Sequence, residues 1–175
     1  YEGSHEVAVA FVHQLPSWKG NTGISIFRYG NDWYSNTSLA VGFASELASV
    51  RLGGQLEYKQ IQIEEMGVER ALLVNFGGIV ELLKKQLFWG AYSSNIFQAS
   101  IRDELLPVNL ITGLSYRVEN KVMLNLELEK QHRFPSTVKL GLEYEIVRSF
   151  FIRTGISTKP FAQYYGIGIK AKSIE

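Results

Sequence analysis

The sequence predicts an all-β protein, an antiparallel up-and-down transmembrane β-barrel. Apolar and polar residues alternate with period two through most of the second half. That is the pattern of strands whose two faces meet different environments. The four prolines, Pro16, Pro107, Pro135 and Pro160, fall between alternating segments, where a residue without an N–H interrupts no ladder. The longest unbroken apolar run, Val7 to Val12, has six residues, against about 20 for a membrane helix.

The alternation is cleanest over Val122, Leu124, Leu126 and Leu128, opposed by Met123, Asn125, Glu127 and Glu129. Val138, Leu140, Leu142, Tyr144 and Ile146 repeat it against Lys139, Gly141, Glu143 and Glu145. Phe150, Ile152, Thr154 and Ile156 oppose Phe151, Arg153, Gly155 and Ser157. Tyr165, Ile167, Ile169 and Ala171 oppose Gly166, Gly168, Lys170 and Lys172. The expected strands are 6–13, 23–29, 37–47, 50–63, 70–82, 86–96, 108–118, 121–130, 137–145, 149–157 and 163–172. Segments 44–50 and 79–87 compete as helices. The second has good local propensity, but Gly77-Gly78 and Gly90 flank it and no cap signal opens it, so it reads as a hairpin.

Tight turns are expected near Ala48-Ser49, Leu83-Lys84-Lys85, Glu119-Asn120 and Val147-Arg148. Longer loops are expected at 30–36, 64–69, 97–107, 131–136 and 158–162. In a meander every second connection returns on the same side. The pattern therefore places the loops on one rim and the tight turns on the other, as in outer-membrane barrels.

About eleven strands make a ring too wide to fill with side chains, and a wide interior suits the polar face. Glu127, Glu143, Arg153 and Lys170 are accordingly expected to face the lumen, beside Glu129, Glu145, Lys139 and Lys172. Leu124, Leu126, Leu128, Leu140 and Leu142 are expected to face lipid. Trp33-Tyr34, Phe88-Trp89, Phe134, Phe150-Phe151 and Tyr164-Tyr165 fall near strand ends, where interfacial girdles form.

Composition narrows the function classes. Apolar residues make up 46% and charged residues 20%, with a net charge of +1. The chain is too apolar to be disordered, and its balance gives no reason to expect nucleic acid. Zero Cys excludes disulfides, thiolate zinc sites and thiol catalysis. His5 and His13 are eight residues apart on one strand face, well over 20 Å and too far for one metal. Glu129 and His132 make at most two ligands. No nucleophile or oxyanion arrangement accompanies the carboxylates, and Gly53-Gly54 and Gly77-Gly78 open no phosphate loop. No catalytic set, metal or cofactor is expected, and the chain is read as a non-enzyme.

The ordered series of segments resembles the PorV/PorQ family of outer-membrane proteins of the Bacteroidetes and related phyla, related in fold to the FadL-type fatty-acid channels. The matching stretches are 23–34, 38–44, Leu52-Gly-Gly-Gln-Leu-Glu-Tyr58, 90–96 and Leu106-Pro107 with 113–116. Leu126-Glu-Leu-Glu-Lys130, Lys139-Leu-Gly-Leu-Glu-Tyr144, Arg153-Thr-Gly155 and Tyr165-Gly-Ile-Gly-Ile169 complete the series. The resemblance implies that 1–175 is one outer-membrane β-barrel domain, the C-terminal two thirds of a barrel of about fourteen strands. It implies a multi-pass protein of the bacterial outer membrane, serving type IX secretion as a carrier, docking or accessory component. The implied partners are outer-membrane lipid, other outer-membrane or secretion-complex proteins, and secreted cargo. Loop 97–107 would bind, with Phe97, Ile101 and Leu105 as apolar anchors and Arg102 as a steering charge. Folding of the same residues inward over the mouth is the plainer reading. A FadL-like transporter of hydrophobic small molecules and a structural barrel of another outer-membrane complex are the competing functions.

Overall fold

A computed structural model describes residues 3–16, 19–101, 104–119, 121–132 and 134–170. The strands are β1 (His5–Leu15), β2 (Gly20–Gly30), β3 (Tyr34–Leu47), β4 (Val50–Ile63), β5 (Gly67–Leu83), β6 (Leu87–Ser94), β7 (Ser100–Ile101), β8 (Glu104–Leu105), β9 (Asn109–Val118), β10 (Val122–Gln131), β11 (Thr137–Val147), β12 (Phe150–Thr158) and β13 (Phe161–Ile169). Eleven of them form one sheet in the order β1-β2-β3-β4-β5-β6-β9-β10-β11-β12-β13, and β7 pairs with β8 alone. The fold is all-β, an antiparallel meander, and no α-helix occurs among the described residues.

Segment 79–87 is strand and turn rather than helix. The turn is closed locally: Lys85 N donates to Glu81 Oε1 at 2.6 Å and Gln86 N to Leu83 O at 2.9 Å. Pairing on both sides outweighs the modest helix preference of Leu, Glu and Lys.

Strand ends differ from expectation in both directions: β6 stops at Ser94 where 96 was expected, and β9 starts at Asn109 where 108 was expected. Most strands run further, so the loops expected at 30–36, 64–69 and 158–162 shrink to 31–33, 64–66 and 159–160. Side-chain and backbone turn chemistry does this. Asn31 Oδ1 accepts from the backbone of Trp33 and Tyr34 at 3.0 and 2.9 Å, and Asn31 N donates to Tyr34 O at 2.7 Å. Gly30, at φ +153°, must be glycine there, since a Cβ would overlap the Tyr34 carbonyl. Met66 N closes the next turn on Ile63 O at 3.1 Å, with Glu65 at φ 68° and Gly67 at φ 90°. The uniform contrast of long loops against tight turns is therefore not present. The connection 95–108 is the long one, and it contains the β7–β8 hairpin.

The chain divides into two compact units, 1–78 with 92–108 and 79–91 with 109–175. In the first unit the register sets Ile24 beside Val41, Ile26 beside Leu39, Leu39 beside Tyr58 and Val41 beside Leu56. These residues form an exposed apolar face. Ala40, Ala71, Leu73 and Asn75 are buried on the opposite face. In the second unit Leu124 pairs with Leu142 and Leu126 with Leu140, while Asn125 pairs with Gly141 and Glu127 with Lys139. A cross-strand pair points to one side of a sheet, so each unit has one apolar and one polar or small-residue face.

Candidate functional site

The apolar rows are the exposed rows. Leu126 is 44% exposed and Leu140 47%, and Leu124, Leu128 and Leu142 are exposed with them. Of the opposed residues, Glu127, Glu129, Lys139, Gly141, Glu143 and Glu145 are half-buried, while Asn125 and Arg153 are exposed. A water-soluble sheet protein covers its apolar face first, because that burial is worth about 25 cal/mol per Å². Here the order is inverted in each unit.

The polar face of the second unit is laced by cross-strand ion pairs. Lys139 Nζ lies 2.8 Å from Glu127 Oε1 and 2.7 Å from Glu129 Oε2. Asn109 Nδ2 donates to Glu129 Oε1 at 3.0 Å. One step along the ladder, Arg153 Nε donates to Glu143 Oε2. The register explains both: Glu127 is opposite Lys139, and Glu143 is opposite Arg153. Glu129 is therefore committed to Lys139 and Asn109 rather than to His132. Lys170 closes this face beyond β13, its backbone N donating to Ser149 O at 2.8 Å. Lys172 lies outside the described residues.

The first unit carries a polar cluster that alternation does not reveal. Asn95 is 1% exposed and sits at φ 56°. Its backbone N donates to Asn75 Oδ1 at 3.0 Å, its Nδ2 donates to Leu106 O at 3.0 Å, and its Oδ1 accepts from Ala99 N at 2.8 Å. Asn75 Nδ2 in turn donates to Gln55 Oε1 at 3.0 Å and Glu57 Oε2 at 3.2 Å. The connection 95–108 is thereby pinned at its base to the covered face. The signal available in the sequence was an Asn immediately after a strand, a residue that tolerates αL and caps turns.

Of the four residues expected to bind partners, Phe97 is 76% exposed and Leu105 is 48% exposed. Ile101 is half-buried, and Arg102 lies outside the described residues. Leu105 pairs with Ser100 in the small hairpin. Exposed aromatics also mark strand ends: Trp33, Phe134, Phe161 and Tyr164 beside connections 31–33, 132–136 and 159–160, and Trp89 at the start of β6. Trp89 Nε1 donates to Thr112 Oγ1 at 2.9 Å on the apolar face of β9.

No protein-family model matches the sequence, and comparison with curated proteins finds no match. Two solved structures are similar in fold. One is a KdgM porin, with a TM-score of 0.57, 10% identity, and coverage of 97% of this chain and 97% of that chain. The other is a KdgM porin in complex with disordered oligogalacturonate, with a TM-score of 0.58 at the same identity and coverage.

Proposed function

We propose that the chain is a non-enzymatic outer-membrane β-barrel whose apolar face meets lipid and whose polar face lines a water-filled path for small polar solutes. The observation that carries this reading is the inversion of faces: Leu124, Leu126, Leu128, Leu140 and Leu142 are exposed while Glu127, Glu129, Glu143 and Lys139 are half-buried. A bilayer rewards that arrangement and water does not. Backbone groups satisfied between neighbouring strands meet the other demand of hydrocarbon. The porin-like fold supports the same reading. Glu127, Glu143, Arg153 and Lys170 are then lumen residues. An apolar lipid-like cargo has little support here, since the covered face of the second unit is charged. The test is reconstitution of the folded chain in planar bilayers. Stepwise ion conductance is the expected result, and folded protein that inserts without conducting would overturn the channel.

The type IX role implied by the PorV/PorQ resemblance stands as a second reading. What favours it is Phe97, presented at 76% exposure on a connection held at its base. In this reading Phe97, Ile101, Arg102 and Leu105 contact another envelope protein or a secreted cargo. Crosslinking from position 97 in native membranes tests it. Capture of a secretion component supports docking, and a crosslink pattern unchanged from that of an unrelated surface position removes it.

A further inference from the structure

The ion pairs of the second unit are not distributed evenly along its polar face. Towards connections 132–136 and 159–160, Lys139 is shared by Glu127 and Glu129, and Lys159 lines the same cavity as Glu129 and Lys139, so charge there is balanced. Towards Lys121 and turn 148–149 cations are in excess. A cavity of about 540 Å³ there is lined by Arg117, Lys121, Arg153 and Lys170 together with Glu143 and Glu145. Four cations face two carboxylates. Glu143 is taken by Arg153, and Glu145 Oε1 accepts from Ser149 N at 3.0 Å. Among the described residues no carboxylate pairs with Arg117, Lys121 or Lys170.

Register explains why the cations converge. Arg117 is opposite Met123 on the β9–β10 ladder, and Lys121 precedes Met123 by two residues. Arg153 is opposite Gly166 on the β12–β13 ladder, with Lys170 four residues beyond that glycine. All four project from the face that bears Glu143. The guanidinium of Arg153 is also given its place. A Cβ on Gly168 would come within 3.2 Å of its Cζ and both terminal nitrogens. Glycine at 168 therefore lets the guanidinium lie over the backbone of β13 while Glu143 takes its Nε edge, leaving the terminal nitrogens for another acceptor.

We propose that this cavity is an anion subsite, taking a small solute that bears two or more carboxylate or phosphate groups. Its volume lies in the range of small-molecule sites, roughly 300–1,000 Å³. Planar guanidinium groups suit carboxylate and phosphate oxygens, and lysines add unspecific attraction. Access by solute rests on the reading of this face as a lumen, and the subsite deepens that reading by assigning a solute class.

The test is calorimetric titration of citrate into the full chain in detergent at low ionic strength, with glucose as the uncharged control. Wild type is expected to bind citrate and not glucose. Arg117→Gln/Lys121→Gln/Lys170→Gln is expected to weaken citrate binding at least tenfold. Arg28→Gln/Lys59→Gln/Lys159→Gln, which removes the same charge from residues that do not line the cavity, is expected to leave it within twofold. Gly168→Ala keeps every charge and is expected to weaken binding by displacing Arg153. Each variant is first checked for heat-dependent gel mobility. Absence of citrate binding by wild type, or equal loss in the two triple variants, overturns the subsite. Conductance of the same preparations separates the two readings. Folded protein that conducts but ignores citrate refutes the subsite alone, whereas protein that binds citrate without conducting refutes the channel alone.

Discussion

At the residue scale, Asn95 holds the long connection and Lys139 holds the polar face. Removing the Asn95 side chain leaves Ala99 N and Leu106 O without their partner. A buried group stripped of its hydrogen bond costs about 1–3 kcal/mol. Asn95→Ala should therefore speed proteolytic cleavage within 96–106. Asn95→Gly, which accepts φ 56° but lacks the amide, should behave similarly if the side-chain bonds matter more than the backbone conformation. Unchanged cleavage in both would show that the anchor is unimportant. Lys139 differs, because it and its partners are partly exposed. Such pairs contribute only about 0.2–1 kcal/mol each. Lys139→Gln should thus leave folding nearly intact, but it uncovers two carboxylates. In a conducting channel the reversal potential in a salt gradient should move toward cation preference. A shift toward anions would contradict the placement of Lys139 on the conducting face.

At the scale of elements, the strands carry the membrane reading and one connection carries the partner reading. Leu126 lies mid-strand on β10 and is 44% exposed. Leu126→Arg should cost about 2–4 kcal/mol if that row lies at the bilayer midplane. Asn125→Arg, one residue away on the polar face, should be far milder. Urea titration of folded protein in lipid vesicles measures both, and equal costs would mean that the two faces meet similar surroundings. The hairpin in 95–108 offers a separate test. Deleting 99–104 spares Asn95 and both flanking strands, so the barrel should still assemble and resist heat on gels. Under the docking reading, complex formation or cargo secretion should fall; under the channel reading, conductance should persist or rise.

At the scale of the whole molecule, the expectation is a protein that seats in a bilayer through an apolar band with aromatics at its margins. Trp33 and Trp89 are both exposed. Lipids brominated near the headgroup should quench their emission more than lipids brominated at the chain ends, since aromatic girdles sit at the interface. Quenching by neither would argue that these surfaces stay in water. The sheet order places β1 and β13 at its two ends, and their residues Val7, Val9, Phe11, Tyr165, Ile167 and Ile169 are among the more exposed apolar residues.

The eleven strands of the main sheet and their antiparallel order were legible because period two is a local property, whereas the short β7–β8 hairpin was not. A residue's neighbours at two positions either side suffice to assign its face. That the carboxylates and cations of the second unit share one face was legible for the same reason. Leu126 and Glu127 differ by one position and so must differ in face. The pairing of particular charges was not legible. Lys139 meets Glu127 and Glu129, and Arg153 meets Glu143, only because register aligns residues 10 to 12 apart in the chain, and turn geometry sets that register. Loop lengths were misjudged because Asn31, Glu65 and Gly67 close turns tighter than polarity suggests. The Asn75–Asn95 anchor and the glycine-cleared seat of Arg153 depend on residues 20 and 15 positions apart. Alternation therefore determined which face each residue takes, whereas the tertiary structure decided which residues meet on that face, because contact across strands depends on register and not on neighbourhood in the chain.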